Sequence, residues 1–169
     1  MNGQTPMGAV VLGLAAGAVG TAVMDAFLFA RYRRGGGPSG VWEWESSAGL
    51  SSWEDAPAPA HIGKRIIEGV FEVKLAPTRA RLVNNVMHWG YGIVNGAQYG
   101  LVAGSLPLPR IRYGLPFGAA VWASSYVILP AAKLYEPIWK YDVKTLADDL
   151  SAHLVYGLAT ATALQMLSR

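Results

Sequence analysis

Two stretches of the chain set a histidine among polar partners at the same spacing. Residues 84–92 read Asn84-x-x-x-His88-x-x-Tyr91-Gly92, and residues 149–157 read Asp149-x-x-x-His153-x-x-Tyr156-Gly157. A further polar residue, Asp25, is the one charge in the apolar run 7–30. On a helix, a group four residues ahead of a histidine shares its face, so Asn84 and Asp149 come within hydrogen-bonding reach of His88 and His153. Three chemistries suit such a set. Hydrogen bonds between helices would pin their register. A histidine near a carboxylate can titrate around neutral pH, and rows of such groups pass protons or ions. Two histidines at one depth could instead ligate haem from opposite faces, or a metal with Asp25 in its shell.

Other chemistries lack their residues. The chain has no cysteine, which removes disulfides and thiolate ligands. Neither a Cys-x-x-Cys-His nor a His-Glu-x-x-His pattern occurs. No Gly-Lys-Ser/Thr follows the glycine-rich residues 35–40, so they are not a phosphate loop. Ser124 and Ser125 have no base beside them in sequence, and no catalytic residue is expected.

The elements that must hold these groups follow from hydropathy. Of the 169 residues 52% are hydrophobic and 15% charged, against about 25% charged in soluble domains. Mean hydropathy is +0.26. Four apolar segments, residues 7–30, 82–106, 113–134 and 146–168, each approach the roughly 20 residues that cross a bilayer. The first lacks a basic leader and a small-x-small site, and Arg31-Tyr32-Arg33-Arg34 follows it, so it is expected to be a retained helix rather than a signal peptide. All Lys and Arg residues except Arg110, Arg112 and Arg169 fall in residues 31–81 or 133–144. The positive-inside rule then puts these segments in the cytoplasm and both termini outside. This placement accounts for the net charge of +3 without nucleic acid.

Small residues show how the helices would pack. Gly92, Gly96, Gly100 and Gly104 follow His88 at four-residue steps, and Gly13, Gly17, Thr21 and Asp25 form a similar row. Such rows let backbones approach closely. Run antiparallel, the two rows face Gly13 with Gly100, Gly17 with Gly96 and Thr21 with Gly92, and put Asp25 beside His88. Gly13-Leu14-x-x-Gly17-Ala18 matches Gly114-Leu115-x-x-Gly118-Ala119. With the paired histidine patterns, this suggests two helical hairpins of common design.

In the long loop, Trp42, Trp44 and Trp53 are expected at the membrane surface. Residues 62–75 carry Ile62, Ile66, Ile67, Val70, Phe71 and Leu75 at helical spacing, as in an interfacial amphipathic helix. Pro57 and Pro59 should break the chain before it and Pro77 end it. Residues 106–110 read as a tight turn, and Tyr135, Trp139 and Tyr141 as an interfacial belt.

The first helix, ending Gly20-Thr21-Ala22-Val23-Met24-Asp25, and the run His88-Trp89-Gly90-Tyr91-Gly92-x-x-x-Gly96-x-x-Tyr99-Gly100 resemble small multi-pass bacterial inner-membrane proteins of unknown function, including the YagU-like group. The resemblance covers the first two helices and, loosely, His153-Leu154-Val155-Tyr156-Gly157 in the fourth. It implies an integral protein of the bacterial inner membrane and no particular activity.

The expectation is an all-α, four-helix transmembrane bundle in one domain, built from two similar hairpins, with an amphipathic segment in the cytoplasmic loop. Asp25, Asn84, His88, Tyr91, Asp149, His153 and Tyr156 would form its polar centre. The leading functional class is channel- or transporter-like or accessory. Two alternatives remain open: a haem- or metal-binding redox protein using His88 and His153, and a structural subunit of a larger membrane assembly. The partners expected are the bilayer and either further copies of the chain or another membrane protein.

Overall fold

The computed structural model describes residues 5–104, 106 and 110–169. Pro107, Leu108 and Pro109, the centre of the expected tight turn, lie outside these. The described residues form six α-helices and no strand. Four are long: α1 (Pro6–Arg34), α4 (Ala80–Gly104), α5 (Gly114–Ala131) and α6 (Val143–Leu167). Two are shorter: α2 (Val41–Glu45) and α3 (Ala58–Phe71). Three helical segments, Pro6–Arg34, Ile111–Ala131 and Val143–Leu167, are long and apolar enough to cross a membrane. Although 25 residues long, α4 is not among them; Arg81, Asn84, Asn85, His88, Asn95 and Gln98 dilute its hydropathy.

Local chemistry sets the helix ends. Thr5 accepts a hydrogen bond from the Gly8 N–H at 3.1 Å, with Pro6 in the first turn. At the other end of α1, Arg31, Arg33 and Arg34 complement the helix dipole, and Gly36 turns the chain with φ at 86°. Thus α1 runs a turn beyond its apolar stretch, because arginine is a good helix former. Asp142 caps α6 by accepting from the Thr145 N–H at 2.9 Å.

The amphipathic helix begins earlier and stops sooner than residues 62–75. It starts at Ala58, because Pro59 sits in the first turn, where its missing N–H costs nothing. It ends at Phe71, where Glu72 turns left-handed with φ at 55°. Glu68 then accepts from the Leu75 N–H at 2.8 Å, outside the helix. The apolar stripe is also divided. Ile66, Val70 and Phe71 are exposed, whereas Ile67 packs with Trp53, Ala60, Ala80 and Val83. Of the three loop tryptophans, Trp42 is exposed, Trp53 is buried in that cluster, and Trp44 stacks on Phe29 at 5.5 Å. Two of the three are therefore held by protein rather than presented to a surface.

The long helices lie in the order α4, α1, α6, α5, each packed on the next. The small-residue rows explain the α1–α4 contact. A Cβ built on Gly13 would sit 2.5 Å from the Gly96 carbonyl oxygen, and one on Gly17 would sit 2.7 Å from that of Gly92. Gly100 lies against Ala9 and Gly13, while Gly104 has ordinary contact with Ala9 at 3.7 Å. The helices are antiparallel, as are α1 with α6 and α5 with α6. At the end away from the loop, α4 and α5 meet through side chains, with the Tyr99 and Phe117 rings 4.5 Å apart. Phe117 continues to Tyr156 at 5.7 Å.

The second helix pair does not repeat the first in register. Gly92 faces Thr21, and Gly17 lies on Gly92 and Gly96; but Gly157 faces Gly114 and Gly118, and Gly118 lies on the His153 carbonyl. With Gly92 and Gly157 superposed, Gly114 occupies the place of Gly17, not of Gly13. The matched Gly-Leu-x-x-Gly-Ala motifs are thus one helical turn out of step, and Trp122 stands where Asp25 stands in the first pair.

Candidate functional site

Each histidine obtains a carboxylate by a different route. Across the α1–α4 contact, His88 Nε2 lies 2.9 and 3.0 Å from the two oxygens of Asp25. Asp25 is buried, 5% exposed, which places this pair inside the protein. No acid crosses to His153, because Trp122 takes that position. Its partner is on its own helix: Nδ1 lies 2.9 Å from the Asp149 carbonyl oxygen and 3.4 Å from the carboxylate. Tyr126 of α5 donates to the same carboxylate at 3.0 Å.

The structure brings five of the seven polar residues expected at the centre to one cavity of about 400 Å³ between the two helix pairs. His88, Tyr91, Asp149, His153 and Tyr156 line it. Asp25 stands behind His88. Asn84 is the exception: its Nδ2 donates to Ser47 Oγ at 3.1 Å instead of meeting His88. The reason is local, since the start of α4 is tied to the segment after α2. Arg81 Nε and Asn85 Nδ2 donate to the Ser46 carbonyl at 2.8 and 2.9 Å.

That same segment delivers a group that sequence spacing did not single out. Glu45, the last residue of α2, accepts from Trp89 Nε1 at 2.9 Å and sits next to Asp25. Burial and the Asp25 charge push its carboxyl above the ordinary glutamate range, partly offset by the Trp89 bond. Glu45, Asp25 and His88 thus follow one another from the loop-bearing end to the cavity wall. On the opposite wall, Tyr135 and Tyr141 gather around Tyr126 with ring centres 5.8 and 5.5 Å away.

Comparison with known proteins returns no match among family models, curated proteins or solved structures. The site therefore has to be read from its own chemistry. Among the described residues, no three of His, Cys, Asp and Glu are grouped to hold a metal ion. With Nε2 of His88 bound to Asp25 and Nδ1 of His153 bound to Asp149, the rings would offer different nitrogens to a haem. The geometry adds nothing to the cofactor alternative.

Several of the remaining polar groups are used within the protein. Tyr156 donates to the Gly92 carbonyl oxygen at 2.6 Å, tying α6 to α4. Asn95 donates to the Tyr91 carbonyl at 2.9 Å, and Thr21 to that of Gly17 at 2.9 Å. These bonds satisfy polar side chains without water, as a lipid environment demands.

Proposed function

We propose that this is a channel- or transporter-like protein of the bacterial inner membrane, that α1, α4, α5 and α6 form its four-helix transmembrane bundle, and that its cavity exchanges protons with the loop side. The observation that carries this is the meeting of both histidines in one cavity wall, with Asp25 and Glu45 extending from His88 toward the loop. Protonatable groups inside a membrane are expensive and are retained where they work. A contiguous Glu–Asp–His chain is what a proton route needs.

Its low hydropathy does not exclude α4 from the bundle. Most of its polar side chains turn inward or toward the loop: His88 to Asp25, Asn95 to its own helix, and Asn84 to Ser47, with Gln98 exposed near the far end. Its exposed face carries Leu82, Val86, Val94, Leu101 and Val102, which suits contact with lipid. The basic residues at the end of α1 and between α5 and α6 favour a cytoplasmic loop-bearing end and outward termini. Kinship with the YagU-like group belongs to the same proposal.

Proton flux tests it. Full-length protein in liposomes with an internal pH dye should dissipate an imposed gradient faster than protein-free vesicles. Asp25→Asn keeps the shape of the side chain but cannot carry a proton, and should slow dissipation about tenfold or more. Wild-type vesicles no leakier than empty ones would overturn the proposal.

A further inference from the structure

The cavity is selective in a way its histidines alone do not explain. Most of its wall is apolar, including Met24, Leu28, Ile62, Met87 and Leu129. Its volume of about 400 Å³ falls within the roughly 300–1,000 Å³ of small-molecule sites. Each imidazole has its own carboxylate, so an anion would give up its hydration to meet no uncompensated positive charge. The carboxylate in the wall, Asp149, already accepts from Tyr126 and lies 3.4 Å from His153 Nδ1, so a cation would meet an occupied group in an otherwise apolar wall.

The direction of the hydrogen bonds narrows the ligand further. Ser125 spends its proton on the Trp122 carbonyl at 2.7 Å, and Tyr156 spends its own on the Gly92 carbonyl. Of the two, Ser125 is left as an acceptor for a ligand, whereas Tyr156 is 2% exposed with the Thr160 hydroxyl against its oxygen. His153 Nδ1 is close to a carbonyl, which can only accept, so Nδ1 carries a proton. In the neutral ring Nε2 is then an acceptor, and no partner holds it among the described residues. A carbonyl or ether would leave these two acceptors, Ser125 Oγ and the neutral His153 Nε2, unmet. A hydroxyl donates to either, and it can also accept from Nε2 if the ring is charged.

The way in is from the side. Backbones of α4 and α5 do not pack together; Tyr91 and Ser124 approach to 3.4 Å, and Arg65 of α3 bonds to the Ala132 carbonyl nearer the loop. Between these two bridges Ile128 both lines the cavity and is 55% exposed, so a single side chain separates the cavity from the outer surface there. Resting on the proposal that this cavity is the working site, we infer that it binds a neutral, lipid-soluble alcohol or phenol, which enters between α4 and α5 and donates its hydroxyl to the His153 and Ser125 acceptors.

The probe pair is para-hexylphenol and its methyl ether, titrated calorimetrically against the full-length protein in nanodiscs, with empty discs subtracted. A site built for a hydroxyl rejects the analogue that lacks it, so the phenol should bind about tenfold or more tighter. His153→Phe should shrink that preference by weakening the phenol alone, and Ser125→Ala should do so more mildly. Equal affinities in the wild-type protein, or no phenol binding above empty discs, would overturn the inference without depending on whether any variant folds. Equal affinities together with Asp25-dependent proton flux would leave the proton route standing. A phenol preference without flux would retire the proton route and keep the ligand class.

Discussion

Replacing Gly17 by alanine should separate α1 from α4 and loosen the site two turns away. The new Cβ would meet the Gly92 oxygen at 2.7 Å, the Gly96 Cα at 2.9 Å and the Ile93 oxygen at 3.0 Å. All three are backbone atoms, so no side chain can rotate aside; α4 must retreat by about half an ångström or more, losing dispersion along the whole contact. Overpacking of this kind costs about 1–3 kcal/mol. The control is Gly90→Ala on the same helix as Gly92, where a Cβ meets nothing within 4 Å. There alanine gains up to about 1 kcal/mol of helix propensity. The same propensity gain applies at Gly17, so unfolding in mixed micelles by added SDS, followed by far-ultraviolet circular dichroism, should separate the two variants by the overpacking cost of about 1–3 kcal/mol. Gly96→Ala meets Gly13 and Gly17 across the same contact, so the double variant with Gly17→Ala should cost less than the sum of the two, because the first retreat makes room for the second. A Gly17→Ala protein as stable as Gly90→Ala would refute the close-contact account of the α1–α4 pair.

Two further outcomes follow from the hydrogen bonds around the cavity. Glu45 has its carboxyl raised by burial and by Asp25, so the fold favours its neutral form; that contribution is complete below the ordinary glutamate value of 4.5 and is lost as pH rises through the raised folded value. Trp89 fluorescence should report loosening of the α2 segment over that rise, and Glu45→Gln should flatten the response; an unchanged profile in Glu45→Gln would show that another group governs it. Tyr156→Phe removes the 2.6 Å bond to Gly92, whose carbonyl keeps its helical partner, and should cost about 0.5–1.5 kcal/mol in the same SDS titration. A neutral effect there would mean that the α4–α6 tie is not structural.

What could be read from residue order was governed by periodicity. Three of the long helices declare themselves by apolar runs, and the α1–α4 register follows from small residues at four-residue steps with one acid and one imidazole at the same end. Glu45 was invisible to that reasoning. It sits in a five-residue helix, too short to show a period, and is delivered by Ser46 and Ser47 bonding to Arg81, Asn84 and Asn85 far along the chain. The same contacts draw Asn84 away from His88, which spacing alone put together. Trp53 was read as a surface residue for a similar reason: its partners Ala60, Ala80 and Val83 come from two later helices.

The one-turn slip between the two helix pairs has the largest consequence for chemistry. If Gly114 packed where Gly13 does, α5 could set a residue opposite His153 as α1 sets Asp25 opposite His88. Instead Trp122 fills that place, and His153 turns Nδ1 back to its own helix. The carboxylate on Nε2 of His88 closes that ring toward α1 and Glu45. His153, bonded through the other nitrogen, keeps Nε2 for whatever enters the cavity. Two sequence patterns that look equivalent thus present different chemistry: one ring bonded through Nε2 to a buried acid, the other through Nδ1 to its own helix. A symmetric arrangement would have tied up Nε2 on both rings and left the cavity only Nδ1 to use.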